Sequence, residues 1–379
     1  MKPLEFVDLK AQLRLIGDDI KRSIDRVIAH GKFIMGPEVY ELEEQLAEFT
    51  GAKYAISCSS GTDALLMALL AIGVGPGDAV FTSSFTFIAT AEVIALLGAV
   101  PVFVDIKQDT FNIDPVKLEQ AIENLDEKKY HNHIHLTPKC VISVDIFGLP
   151  AEYKAINKIA KKYNLIIIED AAQSFGAQAG DKMACNFTDV SATSFFPAKP
   201  LGCYGDGGAI FTNDSDLNEK LISIRAHGKG QYKYDNVRTG INGRMDTIQA
   251  AILIQKLKIF KDELKKRAIA ARKYRKRLKG LVQFQKILDN YTSAWAQFSF
   301  LSMDRNKIMA KLETKKIPHA IYYPKPLHLQ AAFSMLKYKK GDFPIAEMVS
   351  NTILSIPMHP YLSDEHIEFI SKTIVSALN

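Results

Sequence analysis

The chain has 379 residues, enough for two domains around a large core, and its 47% hydrophobic and 24% charged content is that of an ordinary globular protein. A formal net charge of +6 suits an anionic ligand without singling one out. No apolar stretch reaches a membrane-spanning length, and the charged opening MKPLEFVDLKAQLRLIGDD lacks a secretory apolar core, so a cytoplasmic location is expected. Cys58, Cys140, Cys185 and Cys203 have no metal-ligand spacing and read as reduced thiols, buried by default.

From about Glu38 to Thr212, short apolar runs alternate with helical periodicity. Tyr54–Ser57 reads as a strand and Thr62–Ile72 as a helix. Val80–Ser83 is a second strand, followed by a helix over Ile88–Leu97. Val100–Asp105 and Val141–Phe147 are further strands. Between Ala151 and Tyr163 the residues Tyr153, Ile156, Ile159, Ala160 and Tyr163 fall on one helical face. Asn164–Glu169 is apolar without polar alternation, which implies a strand covered on both faces. A run ending in Ser194–Phe196 and another at Gly208–Thr212 complete the set. Strands alternating with helices predict an α/β layer architecture with a mostly parallel sheet.

After Gln255 the character changes. Lys256–Lys279 carries twelve Lys/Arg against Asp262 and Glu263. A DNA-binding regulator would use such a segment. However, Leu257, Phe260, Leu264, Ala268, Ala271, Tyr274 and Leu278 recur at spacings of three and four, which favours an amphipathic helix with a solvated basic face and no nucleic-acid partner. This helix is expected to join a large domain, residues 1–255, to a smaller α+β domain, residues 256–379. The latter should hold a strand near Trp295–Leu301, a helix near Arg305–Lys315, and a last helix capped by Ser363 with Asp364 and Glu365 in its first turn. His131, His133 and His135 lie in a polar excursion with no carboxylate or cysteine at matching spacing, so a solvated loop is expected rather than a metal site.

Three segments carry chemistry. Ser59-Ser60-Gly61-Thr62-Asp63 lies between a strand and a helix, where free backbone N–H groups and a positive dipole end suit a phosphate; the same residues also make a good N-cap. Glu169-Asp170 ends an apolar strand, at the edge where ligands gather in open α/β sheets. Two acids there cannot both be buried without partners, so one is expected to meet a cation or a protonated ring nitrogen. Lys199 stands between Pro197 and Pro200 on the loop joining two apolar runs, where a lysine of lowered pKa is a candidate nucleophile. A phosphate cradle, a strand-end acid and a loop lysine are the parts pyridoxal phosphate needs: an anchor, a partner for the ring nitrogen and an amine for the aldehyde. Phe87 offers an aromatic face over the ring, or is a core phenylalanine.

The segments SSGTDALL, FTSSFTFIATAE, IIIEDAAQSFGA, TSFFPAKPLGCYGDGGAIFTND and NGRMDTIQAAIL, in this order, closely resemble the DegT/DnrJ/StrS family of nucleotide-sugar aminotransferases, pyridoxal-phosphate enzymes of fold type I. The resemblance extends from GPEVYELEEQLAEFTGAKYAIS to YYPKPLHLQ and IPMHPYL. It implies the aspartate-aminotransferase-like fold. Lys199 becomes the Schiff-base lysine and proton shuttle, Asp170 the partner of the pyridine nitrogen, Phe87 the stacking ring and Gln173 the neighbour of the ring hydroxyl. Gly61, Thr62, Asp63 and Ser194 would hold the phosphate, joined by Asn242 of a second subunit in a homodimer. The lysine argues against the relatives that carry histidine and act as dehydratases.

EDAAQSFGA and SFFPAKPLGCYGDGGAIF look most like the branch that passes the amino group of glutamate to UDP-2-acetamido-3-keto-glucuronic acid for bacterial surface polysaccharide (O-antigen, lipopolysaccharide). In that branch Arg244 would approach the substrate carboxylate. One departure stands out: Tyr322-Tyr323-Pro324 replaces the His-Tyr-Pro of close members, with both tyrosines placed to bond sugar or phosphate. A dTDP-3-keto-6-deoxyhexose and a 4-keto UDP- or GDP-sugar remain open as substrates.

Overall fold

Seven strands form the central sheet of the computed structural model, which describes residues 4–125, 135–232 and 234–379. From edge to edge they are Tyr54–Cys58, Gly208–Thr212, Val190–Ser194, Ile166–Asp170, Thr137–Val144, Asp78–Ser83 and Val100–Val104. Gly208–Thr212 runs antiparallel to both neighbours, and every other adjacent pair is parallel. The carboxyl ends of the six remaining strands therefore open onto one edge.

Burial explains the unalternating apolar run. Ile167 packs with Phe81, Val141 and Tyr153 on one face of the sheet, while Ile168 packs with Leu65, Ala68 and Val80 on the other. Helices cover both faces, as the sequence pattern requires. Helix Gly61–Ala71 starts at Ser60, whose hydroxyl accepts from the Asp63 N–H at 3.0 Å. Helix Tyr153–Tyr163 buries Tyr153, Ile156, Ile159 and Ala160, the face read from the sequence. All four cysteines are free and buried.

Two boundaries differ from expectation. The strand expected over 141–147 begins at Thr137 and stops at Val144, because Phe147 takes left-handed dihedrals (φ 61°, ψ 8°) inside a short 3-10 turn. Asn164, expected at the start of the next strand, instead caps the preceding helix at φ 55°. Helices Leu9–His30 and Pro37–Thr50, N-terminal to the first strand, form beyond what the sequence reading specified.

Helix Thr247–Arg277 packs Ala250, Leu253, Ile254 and Phe260 beside the central sheet, and Ala270, Ala271 and Tyr274 against the C-terminal layers. Those layers are a three-stranded antiparallel sheet (Gln283–Phe284, Phe298–Leu301, Ile353–Ile356) with helices Arg305–Thr314 and Asp364–Leu378, the last capped by Ser363. The basic face is not wholly solvated: Lys256, Glu263 and Arg267 are buried. The Lys256 ammonium donates to the Gly202 carbonyl at 2.5 Å and lies over the Tyr204 ring, so it braces the loop that carries Lys199. His131 and His133 lie outside the described residues.

Candidate active site

Alternation along the strand Ile166–Asp170 sends its two terminal acids to opposite faces. Both are buried, and their surroundings separate them. Glu169 is satisfied by the protein: Oε1 accepts from the Cys185 N–H at 2.7 Å and Oε2 from the Ser191 hydroxyl at 2.8 Å. Its burial pushes the carboxyl up to about 7. Asp170 accepts from the Thr90 hydroxyl at 2.8 Å through Oδ2 and from the Ala172 N–H at 3.2 Å through Oδ1. Burial raises its pKa; the Thr90 and Ala172 bonds and the nearby Lys199 amine pull it back down. Thr90 carried no signal in the sequence beyond lying three residues after Phe87.

Lys199 sits just past the strand Val190–Ser194. Its backbone N–H is bonded to Phe196 O at 2.8 Å, and its amine has no hydrogen bond or ion pair among the described residues. Enclosure lowers its pKa from the ordinary lysine value, opposed by the Asp170 charge. Behind it lies a cavity of about 20 Å³ whose walls include Gln12, Lys256, Glu263, Arg267 and His359.

The cradle forms where helix Gly61–Ala71 meets the end of the strand Val190–Ser194. A Cβ on Gly61 would come within 2.6 Å of Ser194 Cβ, so only glycine lets these backbones approach so closely. The first helical turn leaves its N–H groups outside the intrahelical ladder. The Ser59 hydroxyl bonds the Asp63 carboxylate and fixes that side chain; Thr62 lies beside it in the first turn.

Gln173 joins the cluster from two sides: Oε1 accepts from the Phe147 N–H at 2.6 Å, and Nε2 donates to the Tyr323 hydroxyl at 3.2 Å. The left-handed Phe147 thus aims its N–H at a site side chain. Tyr323 lies edge-on to Phe85 with ring centroids 5.9 Å apart, and 6.3 Å from Phe87. Phe87 is 54% exposed, which removes the core-phenylalanine reading and leaves a ring free to cover a ligand. Tyr322 meets Tyr323 and Phe6 instead.

Asn242 and Arg244 form a unit of their own. The Arg244 guanidinium donates to Asn242 Oδ1 through Nε at 2.9 Å and Nη2 at 2.6 Å. Gly243 between them accepts from the Ser59 N–H at 3.0 Å, which sets the pair behind the cradle turn. No hydrogen bond or ion pair joins them to Asp170 or Lys199 among the described residues.

A mostly parallel sheet with an enclosed lysine, a buried acid and a glycine-lined helix N-terminus on one edge defines a fold-type I pyridoxal-phosphate scaffold, and these residues fit that cofactor. The model of the DegT/DnrJ/EryC1/StrS aminotransferase family matches residues 14–375. UDP-2-acetamido-2-deoxy-3-oxo-D-glucuronate aminotransferase of Pseudomonas aeruginosa is 46% identical over 376 residues, 98% of this chain and 100% of the relative. A DegT DnrJ EryC1 StrS aminotransferase of Brucella abortus is 48% identical and superposes with a TM-score of 0.94, covering 98% of this chain and 99% of its own. NtdA of Bacillus subtilis, solved with the cofactor PMP bound, is 29% identical with a TM-score of 0.86, covering 98% of this chain and 83% of its own. The chain belongs to the DegT/DnrJ/EryC1/StrS aminotransferase family. It is an aminotransferase.

Proposed function

We propose that this protein transfers an amino group from glutamate to the 3-keto carbon of UDP-2-acetamido-2-deoxy-3-oxo-glucuronate, for a surface polysaccharide. The observation that carries the aminotransferase chemistry is the enclosed, unpartnered Lys199 amine near the buried Asp170 carboxylate at the carboxyl edge of the sheet. The sugar rests on the full-length similarity to the Pseudomonas aeruginosa enzyme.

Pyridoxal phosphate is the cofactor, and when bound it supplies a carbonyl that accepts the amino group and a ring that stabilises negative charge at the reacting carbon. Gly61, Thr62, Asp63 and Ser194 would hold its phosphate at the helix N-terminus, with Asn242 of a second copy completing the cradle. Asp170, fixed by Thr90, would keep a proton on the ring nitrogen. Gln173, held by Phe147 and Tyr323, would sit beside the ring hydroxyl, and Phe87 would cover the ring. The Lys199 amine would be the group that holds and moves a proton at the reacting carbon, taking it from the amino donor in one half-reaction and returning it to the sugar in the other. A positioned acid–base of this kind is worth about 10²–10⁴-fold in rate. Arg244 would release Asn242 to form a bidentate pair with the sugar carboxylate, and Tyr322 and Tyr323 would bond the remaining sugar or phosphate oxygens.

Exposed Phe33, Ile34 and Tyr40, with Tyr232 and Val237 near the Asn242 loop, support a homodimer built around shared sites. A division into residues 1–255 and 256–379 is part of this reading; the helix Thr247–Arg277 keeps its large-domain partners through Phe260 and meets the C-terminal layers from Ala270. A cytoplasmic location agrees with the biosynthetic role; among the described residues no helix is long and apolar enough to cross a membrane. The test is a panel of keto-sugar nucleotides with glutamate, read by mass spectrometry. The 3-keto-glucuronate should give the amino sugar fastest; preferred amination of a dTDP-3-keto-6-deoxyhexose or a 4-keto sugar would overturn the assignment.

A further inference from the structure

A second cluster of ligand-type side chains lies outside the Lys199 site. Arg272, Lys276 and Lys279, at the end of helix Thr247–Arg277, line a groove of about 590 Å³ that Phe284, Tyr291 and Trp295 also line. Arg272 and Lys276, four residues apart, lie on one side of the helix, and Lys279 follows just past its C-cap Leu278 on the same groove wall. Cations on other faces of the same turns are paired: Lys273 with Asp364, and Arg277 with Glu368 at 3.6 Å. The three groove cations have no carboxylate partner among the described residues, and no acid lines the groove. Arg275 is fixed in the wall, lying 5.0 Å from the Phe284 ring centre and donating to the Gln285 carbonyl at 2.9 Å.

The three rings are half-buried, so each still offers surface to a ligand. The helix C-terminus carries a partial charge of about −0.5, which works against an anion, and three full positive charges outweigh it. The volume lies within the roughly 300–1,000 Å³ of small-molecule sites. A positive rim beside aromatic rings selects a molecule that joins several negative charges to a flat, partly apolar group. We propose that this groove binds a nucleoside diphosphate. The diphosphate meets Arg272, Lys276 and Lys279, and the nucleoside packs against Trp295 and Tyr291. The groove shares no lining residue with the cavity behind Lys199, so it is a separate site.

Trp295 is the single tryptophan of the chain, which makes its emission a reporter inside the proposed site. The holoenzyme is titrated with UDP, inorganic pyrophosphate and uridine. UDP should change the emission saturably, and pyrophosphate and uridine should each bind at least about tenfold more weakly, as expected when two parts of a ligand contribute together. Added salt should weaken UDP binding, because the rim is solvent-facing. The double variant Arg272→Glu/Lys279→Glu should lose UDP affinity by about tenfold or more, with kcat and KM for transamination unchanged. If that variant does not fold, Lys276→Gln and Lys279→Gln, both exposed, should each weaken UDP by about threefold. No saturable change with UDP overturns the proposal, as does an identical response from the variants. Pyrophosphate matching UDP, or duplex DNA binding more tightly than UDP, also overturns it.

Discussion

Replacing Thr90 by valine removes one hydroxyl from the site and leaves the shape of the side chain. Thr90 is 1% exposed, and its hydroxyl supplies the only side-chain hydrogen bond to Asp170 among the described residues, at 2.8 Å. Asp170 Oδ1 keeps the Ala172 N–H, while Oδ2 loses its donor in a place water scarcely reaches. A hydrogen bond to a charged group is worth about 1.5–3 kcal/mol, or roughly 10–150-fold in an equilibrium constant. The loss should appear where the carboxylate must be charged, in cofactor affinity and turnover. Thr90→Val should therefore bind pyridoxal phosphate about tenfold or more weaker by equilibrium dialysis. It should also move the acid limb of kcat/KM to higher pH, because the lost bond favoured the charged carboxylate. The sign for stability is the same. The folded pKa of Asp170 lies above its ordinary value, so its contribution is fully present at low pH and is lost as pH rises through the folded pKa. In the variant, melting of the cofactor-free protein should show that loss at higher pH. Wild-type cofactor affinity together with an unmoved acid limb would refute the reasoning.

Lys199→Ala should abolish transamination, by about 10² or more, while the cofactor-free protein melts as wild type; amination of a ketosugar at the wild-type rate would remove Lys199 from its role. Gly61→Ala forces its new methyl against Ser194 Cβ, and overpacking of this kind costs about 1–3 kcal/mol. We expect weaker retention of the cofactor on dialysis together with a lower melting temperature. Glu169 holds its proton up to about 7 in the fold, so its part of the stability is present below the ordinary glutamate range and lost as pH rises from there to about 7. Melting of the cofactor-free protein across pH 5 to 8 should show that decline, and Glu169→Gln should flatten it. Arg244→Lys gives up the bidentate fork, and should raise KM for a uronic-acid substrate more than for the corresponding neutral sugar, in parallel steady-state assays.

Much of this protein is legible in its sequence because the signals are local. Apolar runs bounded by Gly and Pro mark the strands, Ser60 and Ser363 announce their helices, and Lys199, Asp170 and Gly61 stand at strand ends where a sheet gathers its ligands. Tertiary structure decided what depends on residues far apart in the chain. It separated Glu169 from Asp170 by giving one the N–H of Cys185 and the hydroxyl of Ser191, and the other the hydroxyl of Thr90, 80 residues away in sequence. It buried Lys256, Glu263 and Arg267 on a helix whose charge pattern reads as solvated, because the Lys199 loop and the C-terminal segment need polar partners where they cross it. It exposed Phe87, which periodicity alone would place in the core. Residue type and local spacing determine which chemistry the chain carries; only the packed fold determines which of two adjacent acids, or which of many lysines, is left with an unfilled partner.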